Sequence, residues 1–143
     1  MWREERMLYM AYGMNTNIPA MEARCPLAKP LGGFYLPNYK LVFRGVADIV
    51  PDRDSVVPVV LWSITSNCLS ALDRLEGYPK LYNRKKINNG WWVYTMNNKQ
   101  TIAKPSDHYL YMIQDGYRAF DLDEWHLLAA ASESGYDTTA LVA

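Results

Sequence analysis

Cysteine and histidine are scarce in this sequence, and their scarcity removes the commonest site chemistries first. Cys25 and Cys68 are its two cysteines. They are too few for a disulfide framework and read as reduced, cytosolic thiols. No base beside Cys25 marks it as a nucleophile. The two histidines, His108 and His126, lie far from each other and from the cysteines, so no metal site is expected. His126 reads as a helix-surface residue and His108 as an exposed member of a first turn. Excess charge is missing too, since fifteen basic residues balance fifteen acidic ones. That neutrality argues against nucleic acid or an anionic membrane as the main partner. The one basic run, Arg84-Lys85-Lys86, is short and reads as a solvated strand end. No apolar run approaches membrane length, and no signal peptide is expected ahead of the first strand, so the reading is of a cytoplasmic protein. Repeats and internal linkers are absent. Residues 1–143 are therefore expected to form a single domain.

What the chain has in quantity is apolar and aromatic weight: half its residues are hydrophobic, with eleven tyrosines and five tryptophans. A chain of this size and composition can bury a real core.

The stretch Leu69 to Pro79 is the most informative. It reads as the end of a short helix with Ser66 as N-cap, Gly77 in the left-handed position after the last turn, and Pro79 blocking continuation. At about 100° per residue, Cys68, Leu69, Leu72 and Leu75 share one arc, and Glu76 falls within it. A carboxyl there is disfavoured as an anion by burial and by the carbonyl end of the helix dipole. Glu76 is thus a candidate proton shuttle. The alternative is a rim glutamate paired with Arg84, Lys85 or Lys86, and the helix alone leaves both open.

In chain order, residues 1–6 are charged and expected to fray, and Met7 to Tyr12 reads as a buried strand. Gly13 then turns the chain toward a short helix capped by Asn15 or Asn17, with Pro19 in its first turn. Such a turn points unpaired N–H groups at one spot, a cradle for an oxyanion, although a plain strand-to-helix connection is the commoner case. Residues 24–33 read as loop, and 40–43 and 46–50 as strand pieces broken at Gly45. Asp52 to Ser55 reads as a turn, and 56–64 as a strand whose Pro58 suggests an edge or bulge. Asn88-Asn89-Gly90 is a hairpin signal joining 81–87 to Trp91–Met96, with Trp92, Tyr94 and Met96 on one face. A helix capped by Ser106 is expected to end at Gly116. Another, from Asp121 with Glu124 at capping-box spacing, should bury Leu122, Trp125 and Leu128, with a loose tail after Gly135. The fold class is α+β: a small, mostly antiparallel curled sheet or barrel flanked by short helices.

Together these segments resemble the gamma-glutamylcyclotransferase family, which includes the AIG2-like proteins. The strand running into Tyr12-Gly13-Met14-Asn15-Thr16 is similar to the family's opening motif. Arg24-Cys25-Pro26, Leu72-Asp73-Arg74-Leu75-Glu76-Gly77, Tyr82-Asn83-Arg84 and Val93-Tyr94-Thr95-Met96 follow in the family's order. Pro105, Ser106, Tyr109, Ile113 and Gly116 resemble its C-terminal signature. The resemblance implies that no cofactor or metal is used. It implies release of 5-oxoproline from a small γ-glutamyl compound, whose own α-amino group attacks the γ-carbonyl. Glu76 would be the general acid/base. Tyr12, Gly13, Met14, Asn15 and Thr16 would form the substrate loop, with its N–H groups on the oxyanion, and Tyr82 and Tyr94 would bind substrate. Two positions depart from the family: Met14 replaces a serine and Thr16 a leucine. Met14 motivates a second reading, a binding module that kept the cavity and lost the chemistry. A third, an interaction adaptor, rests on Trp91 and Trp92, one of which should face outward on an alternating strand.

Overall fold

The computed structural model describes residues 5–87, 90–97 and 100–142. Among them, five strands form one curled, unclosed sheet in the order β2-β3-β1-β5-β4. The strands are β1 (Arg6–Ala11), β2 (Lys29–Arg44), β3 (Val46–Thr65), β4 (Tyr82–Ile87) and β5 (Trp91–Met96), and the helices are α1 (Ile18–Arg24), α2 (Ser66–Leu75), α3 (Asp107–Ala119) and α4 (Trp125–Glu133). Every strand pair is antiparallel except β1 with β5, which is parallel. The expected α+β class holds, as a curled sheet that does not close into a barrel.

β2 and β3 are longer than the sequence pattern suggests. They form one ribbon that turns at Gly45, whose φ of +82° suits a residue without Cβ. Lys29–Gly33, expected as loop, pairs with β3. The turn expected at Asp52–Ser55 is an excursion inside β3. The ladder passes from Pro37↔Val56 to Tyr39↔Pro51, with Asn38 at φ +67° opposite the extra residues. Ser55 Oγ donates to Asp52 Oδ2 across it at 3.0 Å. Pro58 sits past the end of β1, which stops opposite Val60, so its missing N–H interrupts no β1–β3 pairing.

The core lies between the sheet and the helices. Trp62, Tyr117, Phe43 and Met10 are fully buried, at roughly 1.5–3 kcal/mol of stabilisation per large apolar side chain. Thr65, rather than Ser66, caps α2, accepting from Cys68 N at 3.2 Å. Gly77 ends the helix at φ +66°. α3 does not stop at Gly116 but continues to Ala119. The capping box expected at Asp121 is not formed. Asp121 has φ +55°, and Glu124 instead accepts from Gln114 and Arg118. Trp125, expected in the core, is 65% exposed, and Leu127 takes the buried place. The segment after Gly135 is tied down, because residues 138–142 form a 3₁₀ turn with Leu141 buried and its carbonyl bonded to Gln114. Arg6, expected to fray, opens β1, where Nη1 donates to the carbonyls of Leu27 and Ser63. Asn88 and Asn89 lie outside the described residues. β4 and β5 pair from Ile87↔Trp91 to Tyr82↔Met96.

Neither tryptophan of β5 faces fully outward. Trp91 packs edge-to-face on Phe34 at 5.1 Å, and Trp92 lies under the Arg84 and Lys86 cations at 4.5 and 5.1 Å. Both are half-buried, which leaves the adaptor reading without its patch.

The cysteines correct the sequence reading. Cys25 and Cys68 are joined by a disulfide, with Cα atoms 5.4 Å apart, and not reduced thiols. The expectation failed because it counted cysteines; it had no means of seeing that the end of α1 lies against the first turn of α2. Crosslinking residues 43 apart removes denatured-state entropy. Its loss in a Cys25→Ala/Cys68→Ala variant is expected to lower unfolding free energy by up to about 4 kcal/mol, read by urea denaturation.

Candidate active site

The site is assembled where β1 ends. After Ala11 the chain leaves the sheet and Gly13 enters a 3₁₀ turn, Met14–Thr16. The turn closes with Thr16 N donating to Gly13 O and Asn17 N to Met14 O, both at 3.0 Å. The N–H groups of Met14 and Asn15 precede that first bond, and among the described residues neither has a hydrogen-bond partner, as expected of the donors a helical start leaves. The loop is held from below. Trp62 Nε1 donates to Asn15 O at 2.9 Å, Asn17 Nδ2 donates to Met112 O at 3.1 Å, and Asn17 Oδ1 caps α1 through Ala20 N. Gly13 packs closely: a Cβ there would lie 3.0 Å from the Tyr109 hydroxyl, a tight contact, and 3.4 Å from Ala47 Cβ.

Glu76 comes from the opposite wall. It is the residue at which α2 stops, its N–H still bonded to Leu72 O at 2.8 Å. Its side chain is half-buried, and among the described residues nothing hydrogen-bonds its carboxylate. Burial raises its pKa from the ordinary 4.5 to about 7, and the Arg24 guanidinium offsets part of the rise. The cations suggested as its partners are used elsewhere. Arg84 grips Asp73 with two bonds, Nε to Oδ1 at 2.8 Å and Nη2 to Oδ2 at 3.1 Å.

Between loop and acid lies a cavity of about 230 Å³. Five tyrosines line it, each fixed through its hydroxyl. Tyr12 donates to Tyr94 O at 2.8 Å, Tyr82 to Ala47 O at 2.6 Å, and Tyr94 to Asp73 Oδ1 at 2.7 Å. Tyr9 accepts from Asn15 Nδ2 at 3.1 Å and Tyr109 from Ala47 N at 3.0 Å. Burial pushes all five phenol pKa values up, so they are neutral near pH 7.

The cavity therefore gathers Glu76, Tyr12, Gly13, Met14, Asn15, Tyr82 and Tyr94. Thr16 is not on its wall. It is fully buried, and its hydroxyl donates to Gly13 O at 2.8 Å. Its place is beneath the loop, against Gly116. The sequence reading left out Arg24, Tyr9 and Tyr109, which also line the cavity. All three stood inside or beside the motifs of the resemblance, without a role: Tyr9 on the strand that runs into Tyr12, Arg24 before Cys25, and Tyr109 after Ser106. Among the described residues no group of three His, Cys, Asp or Glu could hold a metal ion.

The family model for gamma-glutamyl cyclotransferase, AIG2-like, matches residues 9–126, a span that holds every residue of this cavity. The chain belongs to that family. Its cyclotransferase fold is also found in solved structures. One titled gamma-glutamyl cyclotransferase superposes with a TM-score of 0.75 at 24% identity, over 88% of this chain and 86% of that one. An uncharacterized human protein gives 0.73 at 24% identity over 89% and 87%. YkqA from Bacillus subtilis gives 0.76 at 19% identity, over 92% of this chain but 55% of its own. At these identities the structural likeness speaks for the fold alone. No curated protein matches the chain significantly in sequence. Membership of the cyclotransferase family suggests a cyclotransferase-like enzyme. No helix among the described residues is long and apolar enough to cross a membrane.

Proposed function

We propose that this protein is a γ-glutamyl cyclotransferase that releases 5-oxoproline from a small γ-glutamyl compound, with Glu76 as the general acid/base. The observation that carries the reading is one carboxyl with its pKa raised to about 7 sharing a small cavity with the loop bearing the unpaired N–H groups of Met14 and Asn15. The chemistry balances without water or cofactor. Ionised Glu76 takes a proton from the substrate's α-ammonium. The freed nitrogen attacks the γ-carbonyl carbon, and the loop N–H groups stabilise the oxyanion as it forms. When the tetrahedral centre collapses, Glu76 gives its proton to the leaving nitrogen as that bond breaks, and the carboxylate so freed takes the second proton from the ring nitrogen and passes it to the departing amine, which leaves as an ammonium. A carboxyl titrating near neutrality suits both duties.

Two measurements test this. A panel of glutathione, γ-glutamyl amino acids and γ-glutamyl-lysine should include at least one compound that yields 5-oxoproline. For that compound kcat/KM should fall as pH drops below about 7, because protonated Glu76 cannot act as base. A profile flat from roughly pH 5 to 8 contradicts the role of Glu76.

The reading of a binding module that has lost the chemistry is favoured by Met14, whose side chain lines the cavity where the family resemblance has a serine. A γ-glutamyl ligand that raises the melting temperature and is recovered unchanged would select that reading.

A further inference from the structure

We infer that Arg24 is the recognition site for the substrate's α-carboxylate, the group on the same carbon as the attacking amine. The inference rests on the cyclotransferase reading above and adds to it a residue outside the loop and the acid.

Arg24 closes α1 and borders the cavity. Its Nη1 donates to Asn15 Oδ1, and Asn15 is in turn anchored by its amide on the Tyr9 hydroxyl. The guanidinium is thus oriented by a neutral partner. Among the described residues no carboxylate lies within ion-pairing distance of it. Such a group is unusual: a partly buried cation is normally paired. Here an amide spends one donor, and most of a planar five-donor fork is left over. That fork matches a carboxylate, which it can grip with two parallel bonds.

Stereochemistry selects which carboxylate. Glu76 and Arg24 border the same cavity of about 230 Å³. An amine that reaches Glu76 carries its α-carboxylate on the neighbouring bond, so that carboxylate falls on the Arg24 side. A carboxylate on the leaving amine would lie beyond the γ-carbonyl, several bonds away. Pairing also helps the chemistry. Once a bound anion neutralises Arg24, the cation no longer holds down the proton affinity of Glu76, and the acid becomes a better base when substrate is present.

The test uses 5-oxoproline and its primary amide, 5-oxoprolinamide, which differ only in that carboxyl. The wild-type protein should bind the acid ten- to a hundredfold more tightly by isothermal titration near pH 7. Arg24→Gln should lose that preference, its affinity for the acid falling much more than its affinity for the amide. Arg24→Lys, which keeps the charge but not the fork, should retain part of it. Because the acid–amide comparison in wild type needs no variant, misfolding of Arg24→Gln does not spoil the test. Equal affinity of wild type for the two compounds, or binding of neither, overturns the proposal even if γ-glutamyl compounds are turned over. A clear preference for the acid supports it even if no γ-glutamyl compound yields 5-oxoproline, in which case the cyclotransferase reading alone fails.

Discussion

Glu76→Gln should abolish release of 5-oxoproline, lowering kcat/KM by two to four orders of magnitude, the usual contribution of a positioned acid/base. Gln keeps the shape of the side chain and takes away only its capacity to hold and return a proton. The same variant should be more stable than wild type at pH 8. Folding raises the pKa of Glu76 above its unfolded value, so the fold favours the neutral acid. That contribution is complete below about 4.5 and is lost as pH climbs to about 7. Above that the wild-type protein holds a charge that burial disfavours, and Gln does not. The gain at pH 8 should be about 1–3 kcal/mol, at ~1.4 kcal/mol per pKa unit, reduced for the part of the carboxyl that water reaches. Urea denaturation at pH 5 and pH 8 separates the effects: the difference between the proteins should shrink at the lower pH. Undiminished turnover by the Gln protein would remove Glu76 from the mechanism.

Gly116→Ala should be nearly as damaging, although residue 116 is not on the cavity wall. A Cβ there would meet Thr16 Oγ1 at 2.2 Å and the Thr16 carbonyl carbon at 2.7 Å. Neither can yield cheaply, since the first is bonded to Gly13 O and the second is backbone. Either α3 backs away from the loop or the loop rises into the cavity. The expected cost is about 3 kcal/mol, the upper part of the overpacking range. Activity should fall on the order of a hundredfold, because the Met14 and Asn15 donors shift by a fraction of an ångström or more. Thermal unfolding and kcat/KM measured on the same preparation check both. Adding Thr16→Ala should restore the variant in part, by removing the hydroxyl and leaving the clashes with the Cβ and carbonyl carbon of residue 16, both at 2.7 Å.

Gly116 also shows how far the sequence could be read. In sequence it looked like a helix stop, because glycine commonly ends helices. It lies in the last turn of α3, kept for close approach, and the partner it approaches lies a hundred residues away. The same limit explains the other misses. Asp52–Ser55 has turn composition, yet β2 runs alongside and holds it in the ribbon. Trp125 fits the apolar period of a helix, yet that side faces outward. Cys25 and Cys68 meet only because α1 and α2 pack together. What local pattern does fix was legible: the buried β1, the Gly77 stop, the β4–β5 pairing, and the burial of Cys68 and Leu72 on α2, though Leu75, read onto the same arc, is 48% exposed. The loop and acid were named from sequence. Arg24 was quoted only as part of a motif, because its place on the cavity wall, with no described carboxylate paired to it, is visible only in three dimensions.

The tyrosine hydroxyls give the cavity a polarity of its own. Tyr9 and Tyr109 each take a proton donor onto oxygen, so their own hydrogens are left for a guest. Tyr12, Tyr82 and Tyr94 have committed their hydrogens elsewhere and offer a guest only lone pairs. One cavity thus offers a guest both hydroxyl hydrogens and bare lone pairs, from different tyrosines.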